Sequence, residues 1–149
     1  MNNLLNIKNI VLDVDLTTKD DCLHLISEMA VKNLIASDSD MVFRDLQERE
    51  QACTTGLLDG FAIPHCKSSA ILDSRITIIK SNSSIEWETM DGKPVNFVIC
   101  FLLSEEAYKE NQLKLLSHIS KKLMNEEIKK NLMNADSPEE IISTLVGGK

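Results

Sequence analysis

The stretch Gly60-Phe61-Ala62-Ile63-Pro64-His65-Cys66-Lys67 places a short apolar strand directly before a proline and a histidine. Proline fixes its own φ and has no N–H to donate, so a sheet ladder cannot continue unchanged through Pro64. We therefore expect His65 at a strand end, on a defined backbone and near solvent. Because imidazole is substantially neutral near pH 7, a histidine held there suits a nucleophile. The plainer interpretation is a partly exposed loop residue without a function.

The segment before this strand contains an arginine on the buried side of a helix. The pattern predicts a helix over residues 39–52, in which Val42 and Leu46 mark the buried stripe and Arg49 is the next position on it. An arginine that points inward rarely lacks an anionic partner. Either Glu50 is that partner in a structural ion pair, or the helix directs the guanidinium at a site where negative charge arrives.

These residues stand in an order that resembles the active-site signature of the fructose/mannitol-type enzyme IIA of the bacterial sugar phosphotransferase system. The matching residues are Arg49-Glu50, Thr54-Thr55-Gly56 and Gly60-Phe61-Ala62-Ile63-Pro64-His65. Further residues resemble the fructose branch of that family: Lys67, Ile85-Glu86-Trp87 and Asp91-Gly92-Lys93-Pro94-Val95. The likeness extends from about Asn9 to Leu145, which is nearly the whole chain.

The resemblance implies a phosphocarrier that accepts a phosphoryl group from phospho-HPr on His65. It then passes the group to the cysteine of a cognate enzyme IIB, and the membrane subunit IIC takes part only indirectly. A fructose-like sugar is the expected cargo of that system. Many family members carry a second histidine where this chain has Gln112. An amide there can donate a hydrogen bond to a phosphoryl oxygen, but it cannot supply positive charge.

Phosphoryl transfer between imidazoles depends mainly on positioning and electrostatics, because its transition state is loose. One nitrogen of His65 must be unprotonated, and a carbonyl in a neighbouring loop is expected to hold the other. Arg49 is expected to bind the phosphoryl oxygens in a bidentate way. Thr54 and Thr55 lie in a turn that Gly56 allows to approach closely, so they are further candidates. The chemistry requires no metal and no cofactor.

Composition bounds the class of protein. The 149 residues are 43% hydrophobic and 26% charged, which predicts one globular domain over 1–149. The net charge of -7 and the lack of a basic cluster argue against a nucleic-acid partner. The longest apolar run, 95–103, is too short to cross a bilayer, so direct membrane insertion is not expected. Without a signal peptide or a C-x-x-C pair, the four cysteines indicate reduced thiols in the cytoplasm.

The order of predicted elements indicates an α/β fold. An edge strand is predicted over 9–16, a strand over 75–80, a turn over 81–84 and a central strand over 95–103, with helix pairs at both ends of the chain. Thr18 and Ser137 are predicted helix caps, and the longest helix is predicted over 105–124. We expect a three-layer α/β/α domain with a mixed sheet. The resemblance implies five strands.

A second function remains open at this point. Relatives of the same type act in nitrogen-linked phosphotransfer or as domains of transcription regulators, where a phosphorylated histidine sets a binding state and does not feed transport. The fructose-like residues favour the transport role. The length of the chain, which leaves no room for a DNA-binding segment, argues against a regulator domain.

Overall fold

The computed structural model describes residues 4–106 and 113–147. A short 3₁₀ turn at Ile7–Asn9 precedes the first strand. The strands are β1 (Ile10–Val14), β2 (Phe61–Ala62), β3 (His65–Lys67), β4 (Arg75–Ile85) and β5 (Val95–Leu103). The helices are α1 (Lys19–Lys32), α2 (Ser39–Ala52), α3 (Leu113–Lys122), α4 (Glu126–Asn134) and α5 (Pro138–Gly147).

The five strands form one mixed sheet in the order β1-β4-β5-β2, and β3 also pairs with β5. β4 and β5 are antiparallel, while β1 runs parallel to β4 and both short strands run parallel to β5. β1 is an edge strand and β5 is central, as the sequence predicts. Every residue of β5 except Asn96 is buried, which explains its nearly continuous apolar sequence.

Helices cover both faces of the sheet, so the predicted three-layer α/β/α architecture is confirmed. One apolar core lies between the sheet and helices α1 and α2. The other lies between the sheet and helices α3, α4 and α5. The predicted caps are also present: the hydroxyl of Thr18 accepts from the Asp21 N–H at 3.1 Å, and that of Ser137 accepts from the Glu140 N–H at 3.2 Å.

β2 and β3 are two pieces of one edge strand. Ala62 pairs with Val98. Three residues further along both strands, His65 pairs with Phe101. The register therefore does not change across the gap. Pro64 still accepts a hydrogen bond from the Phe101 N–H at 3.0 Å, but it has no N–H to return. The proline thus interrupts the ladder without displacing the strand.

The turn that precedes β2 folds back along the outer side of this edge strand. The Ile63 N–H donates to the Thr55 carbonyl at 3.1 Å, and the Leu57 N–H donates to the Phe61 carbonyl at 2.8 Å. Gly56 lies opposite Ala62, where a Cβ would sit 2.2 Å from the Glu88 carbonyl oxygen. Only glycine fits that approach. The edge strand is consequently covered on its open side.

One predicted turn is wrong. Residues 81–84 are rich in serine and asparagine, which favours a turn, but β4 continues through them to Ile85. The Ser81 hydroxyl accepts from the Leu16 N–H at 3.0 Å and donates to the Ser83 carbonyl at 2.8 Å. Ser81 therefore links β4 to the segment that follows β1. On its other side, the pairing of β4 with β5 has an irregular register between Lys80 and Ile85.

The predicted long helix over 105–124 is only partly described. Its later part is α3, and residues 107–112 lie outside the described ranges. Across 4–106 and 113–147, no helix combines the length and the apolar character needed to cross a bilayer.

Candidate active site

His65 is the first residue of β3, directly after the proline break, and its ring is half-buried. Its Nδ1 lies 3.1 Å from the backbone carbonyl oxygen of Ile63, two residues earlier. A carbonyl only accepts hydrogen bonds, so Nδ1 carries the proton in the neutral ring. This contact leaves Nε2 as the nitrogen with a lone pair, and it fixes the tautomer through the same backbone that positions the residue.

Arg49, in the last turn of α2, lies directly against this ring. Its Nε donates to Nε2 of His65 at 3.1 Å, and its Nη1 donates to the Cys53 carbonyl at 2.7 Å. The part of the chain that the structure describes contains no ion pair between Arg49 and Glu50. Of the two interpretations of Arg49, the geometry supports the guanidinium directed at the histidine.

The surroundings of His65 favour its neutral form. Burial is the largest cause and lowers the pKa of His65 below the ordinary histidine value, and the positive charge of Arg49 acts in the same direction. The hydrogen bond to the Ile63 carbonyl and the negative charge of Glu50 oppose this shift and raise the pKa. The net result is a neutral imidazole whose unprotonated nitrogen faces a cation.

Glu50 is a buried carboxylate that gathers donors from several segments. Its side chain accepts from the Thr55 N–H at 3.1 Å and from the indole Nε1 of Trp87 at 3.2 Å. The Thr55 hydroxyl also donates to it, and the ammonium of Lys19 lies 3.8 Å away. Glu50 therefore ties the end of α2 to the turn at residues 54–56 and to the β4–β5 connection.

Thr54 and Thr55, the predicted phosphoryl-binding residues, lie beside the histidine with their hydroxyls already bonded. Thr55 is buried and its hydroxyl donates to Glu50. The Thr54 hydroxyl lies 2.6 Å from the Glu88 carbonyl oxygen and accepts from the Gly56 N–H at 3.1 Å. In this structure the two threonines brace the turn.

The site opens into a cleft of about 410 Å³. The residues along it are Arg49, Thr54, Thr55, Leu57, Ile63 and His65 on one side, and Leu116, Ser117 and Ser120 of α3 on the other. The sequence analysis did not predict Ser117 and Ser120 at the site. Their i,i+3 spacing places them on one face of α3 beside its apolar stripe, and this spacing could have indicated them. Gln112 precedes α3 and lies outside the described residues, so its role stays a prediction.

The cysteines near the motif differ in exposure. Cys66 is buried, and burial is the main cause that raises the pKa of its thiol to about 12, so the thiol stays protonated and packs in the core. Cys53 is exposed at the end of α2. Within the described ranges, no three side chains of His, Cys, Asp or Glu are placed to hold a metal ion together.

Comparison with known proteins identifies what this chain resembles. The family described as "Phosphoenolpyruvate-dependent sugar phosphotransferase system, EIIA 2" matches residues 3–147. The fructose-specific EIIA component of Haloferax volcanii is 30% identical over 128 residues, which are 86% of this chain and 82% of that protein. The fructose-specific EIIABC component of Bacillus subtilis is 31% identical over 138 residues, 93% of this chain but only 20% of that longer protein.

A solved structure shares both the fold and appreciable sequence. The nitrogen regulatory protein IIA-Ntr of Neisseria meningitidis is 28% identical, with a TM-score of 0.89 over 97% of each chain. The relatives therefore include proteins named for fructose transport and a protein named for nitrogen regulation.

The titration of His65 tests the geometry directly. We expect the midpoint of the His65 ring, followed by NMR against pH, to lie below the reference histidine value of about 6.5. Burial and Arg49 both disfavour the charged ring, so protonation is delayed to lower pH. Protonation of the unfolded chain near its higher pKa should then lower the free energy of unfolding as the pH falls.

His65→Ala identifies the His65 signal among the three histidines. The same ring measured in urea supplies the unfolded reference. A folded midpoint above that of the unfolded chain would contradict the site described above.

Proposed function

This chain belongs to the EIIA 2 family of the phosphoenolpyruvate-dependent sugar phosphotransferase system, and on that premise we propose that it carries phosphoryl groups on Nε2 of His65. Phospho-HPr is the donor and the cysteine of a cognate enzyme IIB is the acceptor. The observation that carries the proposal is the pair of contacts on one ring: Nδ1 against the Ile63 carbonyl and Nε2 against Arg49.

The proposed step exchanges one phosphorus–nitrogen bond for another. The Nε2 lone pair of His65 attacks phosphorus, the bond to the donor imidazole breaks, and that imidazole leaves with its electron pair. The ring of His65 becomes cationic, and its proton stays on Nδ1, hydrogen-bonded to the Ile63 carbonyl. In the second step a thiolate of enzyme IIB attacks the same phosphorus and releases neutral His65.

Arg49 must move for this step, because its Nε–H occupies the lone pair that attacks. We propose that the guanidinium turns from Nε2 to the phosphoryl oxygens when the donor arrives, keeping its Nη1 contact with Cys53 as a pivot. A guanidinium can bind two of these oxygens at once, which offsets the charge that develops on them.

The roles of the remaining predicted residues are narrower. We propose that Thr54 binds a phosphoryl oxygen only after its hydroxyl leaves the Glu88 carbonyl, and that Thr55 supports the turn beneath it. For Gln112 we keep the prediction of a neutral hydrogen-bond donor to the phosphoryl group. Neither role requires a metal.

Sugar transport is the preferred role, and fructose-like sugars are the preferred class. The fructose-specific relatives support this role, as do Lys67 and the segment from Trp87 to Val95. The second candidate is a regulatory module of the nitrogen type, supported by the fold and identity shared with the Neisseria protein. Transfer from the phosphorylated chain to purified candidate IIB proteins separates the two, since only the transport role requires an acceptor cysteine.

The surface next to the cleft offers a place where the donor protein can dock. An apolar groove shares Leu57 and Ser120 with the cleft and continues along Leu58, Met90 and Met124. These last three side chains are 43%, 71% and 80% exposed. Since phospho-HPr must bring phosphorus to Nε2, its surface has to cover the rim of the cleft. We propose that an apolar part of HPr packs into this groove.

Replacement of His65 tests the proposed function. His65→Ala should abolish phosphorylation by phospho-HPr, because neither His24 nor His118 lines the cleft. The wild-type product should be acid-labile and base-stable, as expected for a phosphoramidate. Incorporation of labelled phosphate, followed by acid and base treatment, checks both points. Normal labelling of His65→Ala would refute the assignment.

Replacement of Arg49 tests the charge at the phosphoryl group. Arg49→Ala should raise the barrier to transfer by about 2–4 kcal/mol, the cost of losing a charge-stabilising donor. Arg49→Lys should recover only part of the rate, since an ammonium lacks the planar fork. Stopped-flow transfer rates and thermal unfolding are measured together. A normal rate with a lowered melting temperature would make Arg49 a structural residue.

The docking surface is tested with two exposed apolar residues. Met124→Gln should raise the KM for phospho-HPr by roughly threefold to tenfold, the effect of about 1 kcal/mol of lost apolar burial, with little change in the maximal rate. Leu34→Gln is the matched control, because Leu34 is 79% exposed and follows α1, a helix on the opposite face of the sheet. Equal KM values for both variants and wild type would exclude the groove.

A further inference from the structure

Glu50 is 5% exposed, yet its hydrogen-bonding donors in the described structure are neutral. They are the Thr55 N–H at 3.1 Å, the Thr55 hydroxyl and the indole Nε1 of Trp87 at 3.2 Å. The nearest cation in an ion pair with it is Lys19 at 3.8 Å, with the Lys19 ammonium also 5.7 Å from the centre of the Trp87 ring. Neutral donors stabilise a carboxylate without cancelling its charge. Lys19 is thus the cationic partner of Glu50, and the other bonds of the carboxylate go to neutral donors of the 54–56 turn and of Trp87.

The position of Glu50 on α2 separates it from Arg49. Consecutive residues of a helix do not face each other, so the two side chains leave α2 on different sides. Arg49 reaches His65, while Glu50 reaches the turn at 54–56 and the indole of Trp87. The carboxylate thus holds the turn that covers the edge strand, and Arg49 remains available to the histidine.

The charge of Glu50 has a second consequence for the reaction. When Nε2 takes a phosphoryl group, the imidazole becomes a cation while the phosphoryl oxygens become an anion beside Arg49. The charged groups acting on His65 are Arg49 and Glu50, both from α2. Among the described residues of α3, those that line the cleft are Leu116, Ser117 and Ser120, which carry no charge. Of these two charged groups, Glu50 is the one that favours a cationic His65 ring, whereas Arg49 disfavours it.

We propose that Glu50 is a positioning residue for phosphoryl transfer: its carboxylate fixes the Thr54–Thr55 turn against Trp87 and stabilises the cationic ring of phosphorylated His65. The role rests on the proposed function, since it concerns transfer at the same histidine. It differs from a purely structural role because it predicts an electrostatic effect on His65 in a protein that remains folded.

The test replaces the carboxylate by its neutral isostere. Glu50→Gln should lower the maximal rate of transfer from phospho-HPr by roughly tenfold, the loss expected for hydrogen bonds to a charged group, with little change in KM. The NMR midpoint of His65 should also move to lower pH, because the opposing negative charge is gone. Glu48→Gln is the matched control: it removes the same charge from an exposed position on α2. Neither readout should change in that variant.

A folded Glu50→Gln protein with the wild-type rate and midpoint overturns the proposal. If Glu50→Gln does not fold, Trp87→Phe carries the test, since it removes one donor and keeps the charge. Slower transfer with an unchanged His65 midpoint then supports positioning, and an unchanged rate overturns it. Failure of wild type to accept phosphate would refute the proposed function instead, so the two failures are distinguishable.

Discussion

The missing N–H of Pro64 is the constraint on which the site depends. It interrupts an edge strand whose register on β5 stays constant from Ala62 to His65. The carbonyl of Ile63, at the break, then contacts the imidazole two residues later. The Ile63 N–H bonds to Thr55 on the outer side of the strand, so the Ile63 carbonyl on that same side is not part of the ladder with β5. This carbonyl determines which nitrogen of His65 carries the proton.

In this structure Nε2 of His65, the proposed nucleophile, accepts a hydrogen bond from the cationic guanidinium of Arg49. The guanidinium donates to the lone pair of Nε2, and in the proposed mechanism it leaves when an anionic phosphoryl group competes for it. A neutral amine or alcohol offers no such competition, whereas a phosphoryl group does. Under the proposed function, selectivity for phosphorylated partners therefore begins with the charge of the incoming group, before any docking surface is considered. The Cys53 carbonyl, which accepts from Nη1 of the same guanidinium, is the pivot proposed for that movement.

The sequence predicted the architecture and the central pair of the site, and the reasons differ from residue to residue. A proline and a helical stripe indicated the positions of His65 and Arg49, but only the resemblance favoured a site over a loop histidine and a structural ion pair. The contacts of Glu50 were not identifiable, since Trp87 and Lys19 approach it from distant parts of the chain. The serines at 81–84 were wrongly predicted as a turn, because serine and asparagine are common in turns. In the structure Ser81 instead links β4 to the segment after β1. The bonded hydroxyls of Thr54 and Thr55 likewise depend on tertiary partners.

The parallel pairing of the interrupted strand also bears on how the chain is made. β2 and β3 pair with β5, which is synthesised after them. β1 likewise pairs with β4, which is synthesised later. Contacts between such distant segments form late, because the intervening chain must first be closed into a loop. On the ribosome, Arg49 and His65 emerge before the strand that aligns them. In an incomplete polypeptide, the edge strand that carries His65 consequently has no strand to pair with until residues 95–103 have emerged.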